Sequence, residues 1–421
     1  MHRIVIVGGS IAAVTAASTL RADGWDGELI ILSDEDEAPY SRVPLSKGVL
    51  AGTQTSASAA LPALPDDVEL RRAIRAVGLD PSRRVIQVAD GSEVAFDGLV
   101  VATGSRARRL ADPGQQGELV VRTLRDAEAI SDRLPGARSA VVVGAGFLGM
   151  EIASTLRDRG LDVTVVDREP PLRRSLGSWL AELVVAKATE RGVHFVLAPD
   201  GVALLGDPVS AVQLGPHGRR IDAGLVISAV GDLPNVEWLA AAGLPVAGGV
   251  VVDRRCRVGP GIVAAGDVTV SEHQPGVRLR TPHWTSAVTQ GRLAARSLLD
   301  PSAPAEPSDH YFWTEQFGYE LKLAGMLPYR GAPRVIAGAP QEGSALLQWQ
   351  RGGEGAPRSL PPRSTTACRS SSSRVWRDRQ THQARPQRRT RSSTRHRSVR
   401  PRNYTYKPAG DDDPVRRANR S

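Results

Sequence analysis

The 421-residue chain reads as an α/β protein with two Rossmann-like domains, a smaller α+β segment and a basic tail. Three observations predict this. One strand, glycine-rich turn, helix, strand pattern occurs twice, at residues 3–32 and 139–166, and each copy is a βαβ unit that requires a parallel sheet. A Pro/Ala/Ser link from Asp300 to Pro307 sets these apart from a segment starting at His310, where Tyr311, Phe312, Trp313, Phe317 and Tyr319 crowd together. From residue 361 onward there is no Leu, Ile, Phe or Met, and the only aliphatic β-branched residues are Val375, Val399 and Val415. Such a stretch cannot bury enough apolar surface to offset its ordering entropy, so residues 351–421 are expected to be disordered.

In chain order, Arg3 to Val7 is an apolar run closed by glycine. Ser10 to Leu20 is a helix of small residues, and Glu28 to Leu32 is the second strand. Ala95 to Ala102 reads as a strand closing the first domain. The second unit has strands at 139–143 and 161–166 around a helix from Phe147 to Arg159. Val196 to Val230 alternates strands with Gly/Pro turns. Asp253 to Asp267 returns to a strand ending in Gly-Asp, and Thr285 to Leu299 is a helix. Leu346 to Gln350 reads as a last strand.

Charge and cysteine content narrow the function classes. The net charge of +9 belongs to the tail: residues 351–421 carry 19 basic and 5 acidic groups, leaving 35 basic and 40 acidic in the body. The Arg-rich tail is expected to contact nucleic acid or other polyanions only non-specifically. Cys256 and Cys368 are too far apart for a CxxC pair or a cysteine zinc site, so no metal is expected. No run approaches the roughly 18 apolar residues of a membrane span. The N-terminus lacks a signal-peptide pattern, so a cytoplasmic protein is expected.

The two turns point to dinucleotides. Gly8-Gly9-Ser10-Ile11-Ala12-Ala13 is a G-x-G-x-x-G/A variant with Ser10 at the second glycine and Ala13 at the third. The backbone there can meet a pyrophosphate at the following helix N-terminus. Asp34, just past the second strand, is placed to accept ribose hydroxyls. Gly144-Ala-Gly146-Phe147-Leu148-Gly149 is the complete fingerprint, and Asp167 stands at the next strand end, where a carboxylate selects a free 2′-hydroxyl and hence NADH. The adjacent Arg168 can accept a 2′-phosphate, which keeps NADPH possible. A flavin and a nicotinamide are the natural pair, since hydride passes between stacked rings.

With these motifs, residues 3–350 resemble the FAD-dependent ferredoxin reductases of cytochrome P450 and ring-hydroxylating dioxygenase systems, which share the glutathione-reductase-like FAD/NAD(P) architecture. Pro39 to Lys47 resembles that family's flavin loop, with Arg42 within it and Lys47 as the basic contact. Ala102-Thr103-Gly104 resembles the turn closing the flavin domain, and Arg122 the arginine that reaches the flavin. Gly231 to Asn235 is similar to the return from the nicotinamide domain. In Ala264 to Val268 the resemblance places Gly266 at the flavin and Asp267 on the ribityl chain of FAD. It puts His283, Trp284 and Gln290 against the isoalloxazine and Trp313 at the flavin edge. Glu151 either orients the carboxamide of NADH or complements the dipole of its helix, and His283 either packs or acts as an acid, although hydride transfer needs none.

The resemblance implies an FAD domain of residues 1–108 and 236–309, an NAD(P)H domain of 109–235, and a C-terminal interface domain whose partial form is 310–350. Family members continue past the aromatic segment, so this domain is expected to be truncated, with the tail 351–421 either a frameshift product or a genuine basic extension. It further implies hydride transfer from NADH to FAD, then single electrons to a small iron–sulfur ferredoxin. Arg278, Arg280, Arg292, Arg296 and Lys322 are candidates for its dock. Disulfide-relay relatives are disfavoured, because no cysteine lies between Asp34 and Lys47. A reductase of quinones or small oxidants, or an impaired product whose tail binds polyanions, are the alternatives.

Overall fold

The computed structural model describes residues 1–274, 276–302, 304–305 and 310–350, and the backbone of 365–370. The first βαβ unit forms as expected: strand Arg3–Val7, helix Ile11–Ala22, strand Glu28–Leu32. Around it a six-stranded sheet runs in the order Arg257–Gly259, Ile262–Ala264, Gly98–Val101, Arg3–Val7, Glu28–Leu32, Val68–Arg71, and every pair but the first is parallel. Its strands are apolar on both faces because both are covered. Ile4 and Ile6 pack under helix Ile11–Ala22 and helix Trp284–Leu299, whereas Val5 and Val7 face Leu79, Ile86 and Trp238.

The second unit repeats the plan with strands Ser139–Val143 and Asp162–Asp167 and helix Phe147–Asp158. Its parallel sheet has the order His194–Leu197, Asp162–Asp167, Ser139–Val143, Leu225–Ser228. One face carries helices Phe147–Asp158 and Ser178–Glu190, and the other carries the antiparallel strands Val202–Gly206, Val209–Leu214 and Arg220–Asp222. The two crossings between the sheets are paired with each other, Ser105–Ala107 antiparallel to Asp232–Pro234. Asn235 reinforces that junction, donating from Nδ2 to the Thr103 carbonyl (2.9 Å) while Thr103 Oγ1 donates to the Asn235 carbonyl (2.8 Å).

The aromatic segment is a hairpin, Tyr311–Gln316 with Tyr319–Ala324, in a five-stranded antiparallel sheet. Phe317, Leu321, Leu323 and Leu347 are continuous with the core under Leu176, Leu180 and Val184, so this sheet has no separate core of its own. Strand Thr365–Ser370 lies between Tyr319–Ala324 and Ser344–Gln348. This corrects the expected disorder for those six residues: a strand lying between two others is fixed by backbone pairing on both sides, which needs no apolar side chain. The remaining tail, with its expected polyanion contacts, lies outside the described residues. Among the described residues no helix is long and apolar enough to cross a membrane, and no cluster of side chains suits a metal ion.

Candidate functional site

The first turn is shaped by the absence of side chains. Gly8 has φ +120°, and a Cβ there would lie 2.1 Å from the Ala102 carbonyl oxygen. Only glycine lets strand end and turn meet this closely. Ser10 is the residue before helix Ile11–Ala22, and its side chain makes no capping hydrogen bond. The helix therefore presents its leading N–H groups and positive end to whatever lies beyond. Ala13 is buried beneath the turn and does not border the space above it.

That space is a cavity of about 840 Å³. Its wall includes Gly8, Gly9, Ser10 and Ala12 of the turn, Asp34, Arg42 and Lys47, Ala102, Thr103, Gly104 and Arg122, and Gly266, Asp267, His283, Trp284 and Trp313. Phe147, Leu148 and Glu151 of the second unit's helix close it. Every flavin residue expected from the sequence borders it except Ala13 and Gln290. Gln290 acts one step back: its Oε1 accepts from Gly266 N–H (2.8 Å) and Thr269 Oγ1 (2.9 Å), holding the loop that carries Asp267.

A chain of ion pairs runs along the wall. Asp267 Oδ2 accepts from Arg122 (2.7 Å), the Arg122 carbonyl accepts from Arg42 (2.7 Å), and Arg42 pairs with Glu35 (2.5 Å). Tyr40 donates to the same Glu35 carboxylate. Burial works against the Arg42 charge, but Tyr40 and Glu35 outweigh it and raise its pKa. Burial likewise pushes the Tyr40 phenol up. On the far side of Asp267, Arg280 donates to its carbonyl (2.8 Å) and pairs with Asp232 (2.6 Å). Burial raises the Asp232 carboxyl, but Arg280 together with Ser105 and Arg122 reverses this and holds it below the usual range. Arg280, a candidate docking charge, thus also supports the loop that carries Asp267. Arg296 pairs with Asp23 and Lys322 with Glu320, so these two also have local partners. Asp34 borders the cavity, yet its Oδ1 accepts from Arg75 (2.9 Å). Its neighbour Glu35, which the sequence reading does not name, borders the cavity as well.

Glu151 joins three parts of the chain. Its Oε2 accepts from Lys47 Nζ and Ser46 Oγ, both at 2.7 Å, and its Oε1 from Thr314 Oγ1 at 2.6 Å. It lies beyond the first turn of helix Phe147–Asp158, where no acid stands, and this removes the helix-dipole reading. Ser154 and Thr155 extend the stripe. Ser154 Oγ accepts from Phe317 N–H (2.7 Å), and Thr155 Oγ1 donates to the Ser46 carbonyl (2.8 Å). Residues 151, 154 and 155 share one helix face, so a buried polar stripe fastens this helix to the flavin loop and to the C-terminal sheet.

The second turn is built like the first. Gly144 has φ +106°, and Gly146 precedes the helix with no side-chain cap and open space where a Cβ would stand. Asp167 lies at the strand end as expected, and its Oδ2 accepts the Ala145 N–H (2.5 Å), so the carboxylate also braces the turn. Arg168 is exposed, and its Nε donates to the Pro199 carbonyl (3.3 Å). Gly231 contributes its carbonyl to Arg108 N–H (3.0 Å), tying the return crossing.

The aromatic end joins two edge contacts, His283 on Phe312 at 4.8 Å and Trp284 on Trp313 at 5.9 Å, to a tilted one, Phe147 against Phe312 at 4.4 Å. His283 Nδ1 is buried with no hydrogen-bond partner among the described residues. Burial lowers its pKa, against the pull of Asp267, with His310 adding to the lowering. The native state therefore favours neutral imidazole, and the unfolded chain takes up protons first as pH falls below the ordinary value of 6.5. Stability from this group is present above pH 6.5 and lost on acidification. Urea titrations at pH 7.5 and 5.5 are expected to show a smaller acid-side loss for His283→Gln than for the parent; equal losses would place the sensitivity elsewhere.

The cavity suits FAD on two grounds: a glycine turn that brings the backbone beside a helix N-terminus, and arginine–carboxylate pairs in its wall. Comparison with known proteins agrees with this architecture. Residues 2–291 match the pyridine nucleotide-disulphide oxidoreductase family. Rubredoxin-NAD(+) reductase of Pseudomonas putida is 35% identical over 77% of this chain and 86% of its own length. The ferredoxin–NAD(+) reductase subunit of the benzene 1,2-dioxygenase system, also from Pseudomonas putida, is 32% identical over 82% of this chain and 86% of its own. Among solved structures, a ferredoxin reductase from Rhodopseudomonas palustris superposes with a TM-score of 0.77 at 28% identity, covering 87% of this chain and 91% of that one. Putidaredoxin reductase in its covalent complex with putidaredoxin gives 0.75 at 29% identity, with 87% and 89% covered. Two glycine turns on two sheets, a cavity bordered by the first turn and by the helix that follows the second, and a match over most of the length lead to one conclusion: the chain belongs to the pyridine nucleotide-disulphide oxidoreductase family.

Proposed function

We propose that this protein is an NADH-dependent flavoprotein reductase that passes electrons singly to a small iron–sulfur ferredoxin of a cytochrome P450 or ring-hydroxylating dioxygenase system. Residues 1–108 and 236–309 hold FAD, and 109–235 hold NADH. Bound FAD supplies an acceptor for the hydride of NADH and a donor of single electrons. The observation that carries the reading is the shared wall of the cavity, where Phe147, Leu148 and Glu151 from the nicotinamide half meet His283, Trp284 and Trp313 from the flavin side and the aromatic hairpin. Both rings are thereby brought to one place, and positioning is the protein's main contribution. Gly8 to Ala12 take the pyrophosphate, Asp267 and Arg122 the polar chain, and Lys47 and Glu151 the junction where the nicotinamide arrives. Asp167 accepts the ribose hydroxyls of NADH. The absence of cysteine between Asp34 and Lys47 leaves direct departure of electrons from the flavin. The named reductases among the relatives, which serve rubredoxin and a benzene dioxygenase, support that exit.

Anaerobic absorbance titration tests this. A yellow protein bleached by about one equivalent of NADH, with NADPH far less effective, is the expected result. Reduced protein should then reduce a ferredoxin faster than a quinone. A colourless protein after FAD reconstitution would refute the reading.

A further inference from the structure

We infer that Thr314 is a positioning residue for hydride transfer, acting through Glu151; this rests on the reductase reading above. Thr314 is fully buried, on the helix-facing side of strand Tyr311–Gln316, and does not border the cavity. Its hydroxyl stands in a directed chain. Gln316 Nε2 approaches Thr314 Oγ1 at 3.3 Å as a donor, which turns the hydroxyl proton toward Glu151 Oε1 at 2.6 Å. Glu151 Oε2 then remains for Lys47 and Ser46, both of which border the cavity.

The physical consequence follows from burial. Glu151 is 7% exposed, so no bulk water replaces a lost donor cheaply. Without the Thr314 proton, Oε1 seeks another partner and the carboxylate rotates about its own axis, taking Oε2 away from Lys47. The ammonium at the cavity wall then loses its fixed place. The strand itself stays anchored, because Phe317 N–H donates to Ser154 Oγ independently of Thr314.

Thr314→Val keeps the shape and removes the proton. The expected result is a limiting rate of flavin reduction by NADH, in anaerobic stopped flow, about tenfold below the parent, the scale of one hydrogen bond to a charged group. Thr314→Ser restores the rate to within about twofold, since it restores the donor. Affinity for NAD+, measured calorimetrically on the FAD-loaded protein, stays within about twofold, because the glycine turn that holds the nucleotide is untouched. A double variant with Glu151→Gln should be no slower than Glu151→Gln alone, as expected of residues acting in series. A full rate in Thr314→Val, no rescue by serine, or multiplying effects in the double variant would each overturn the inference. A parent protein that NADH does not bleach would instead strike the reductase reading itself.

Discussion

Gly149→Ala is expected to give a yellow protein that NADH no longer bleaches at a useful rate. A Cβ at Gly149 would lie 1.9 Å from the Gly144 carbonyl oxygen and 2.9 Å from its carbon. Both are backbone atoms of the same turn, so no side chain can swing aside. Gly144 itself cannot retreat, since its own Cβ direction points at the Ala229 carbonyl at 2.3 Å. The helix start must therefore lift off the sheet, taking with it the N–H groups that meet the pyrophosphate. The flavin turn belongs to a different sheet and still binds FAD, and rates are compared per bound flavin because Phe147 and Leu148, which move with the helix start, border the same cavity. Reduction by NADH should fall at least about 100-fold, equivalent to roughly 3 kcal/mol of lost binding and alignment. Dithionite should still bleach the variant fully. Bleaching by NADH at the parental rate would mean that this turn does not hold the nucleotide.

The βαβ units were legible because a parallel strand is a short apolar run and a glycine turn is a local pattern; strands 3–7, 28–32, 139–143 and 162–167 all fall within a residue or two of expectation. The aromatic hairpin and the second fingerprint were legible for the same reason. What stayed hidden was long-range. Glu151 finds its partners 104, 105 and 163 positions away, and nothing local marks Ser46 or Thr314 as its donors. One signal was available: Glu151, Ser154 and Thr155 are polar residues at spacings that share a face of a helix whose first ten residues are otherwise apolar or glycine, which marks a polar contact surface. The pairing of Arg280 is equally hidden, because a lone arginine carries no sign of the acid it meets 48 positions earlier, Asp232. Asp34 and Glu35 both border the cavity at one strand end, and local sequence does not show that Glu35 is the one tied to Arg42 and Tyr40 of the flavin loop.

Asp267→Ala is expected to weaken FAD binding about 30- to 100-fold, the range of one lost hydrogen bond to a charged group plus an arginine left unpaired. Asp267 is the midpoint of the polar wall. Its carboxylate holds Arg122, while its backbone carbonyl holds Arg280 and so survives the substitution. Arg122 keeps its second anchor, Nε to the Ser105 carbonyl at 2.8 Å, so the guanidinium stays near its place with its charge uncompensated. The truncation thus removes one acceptor without dismantling the loop, which Gln290 continues to grip at Gly266. Asp267→Asn retains an acceptor of the same length and should lose less, about tenfold, separating the carboxylate's charge from its shape. Fluorescence titration of the apoprotein with FAD gives both dissociation constants. Calorimetric binding of NAD+ supplies the control, since the nicotinamide sheet shares no strand with the loop. Parental FAD affinity in Asp267→Ala would exclude the carboxylate from the flavin site, whereas loss of both nucleotides together would indicate that the Arg122–Asp267 pair holds the two halves in register.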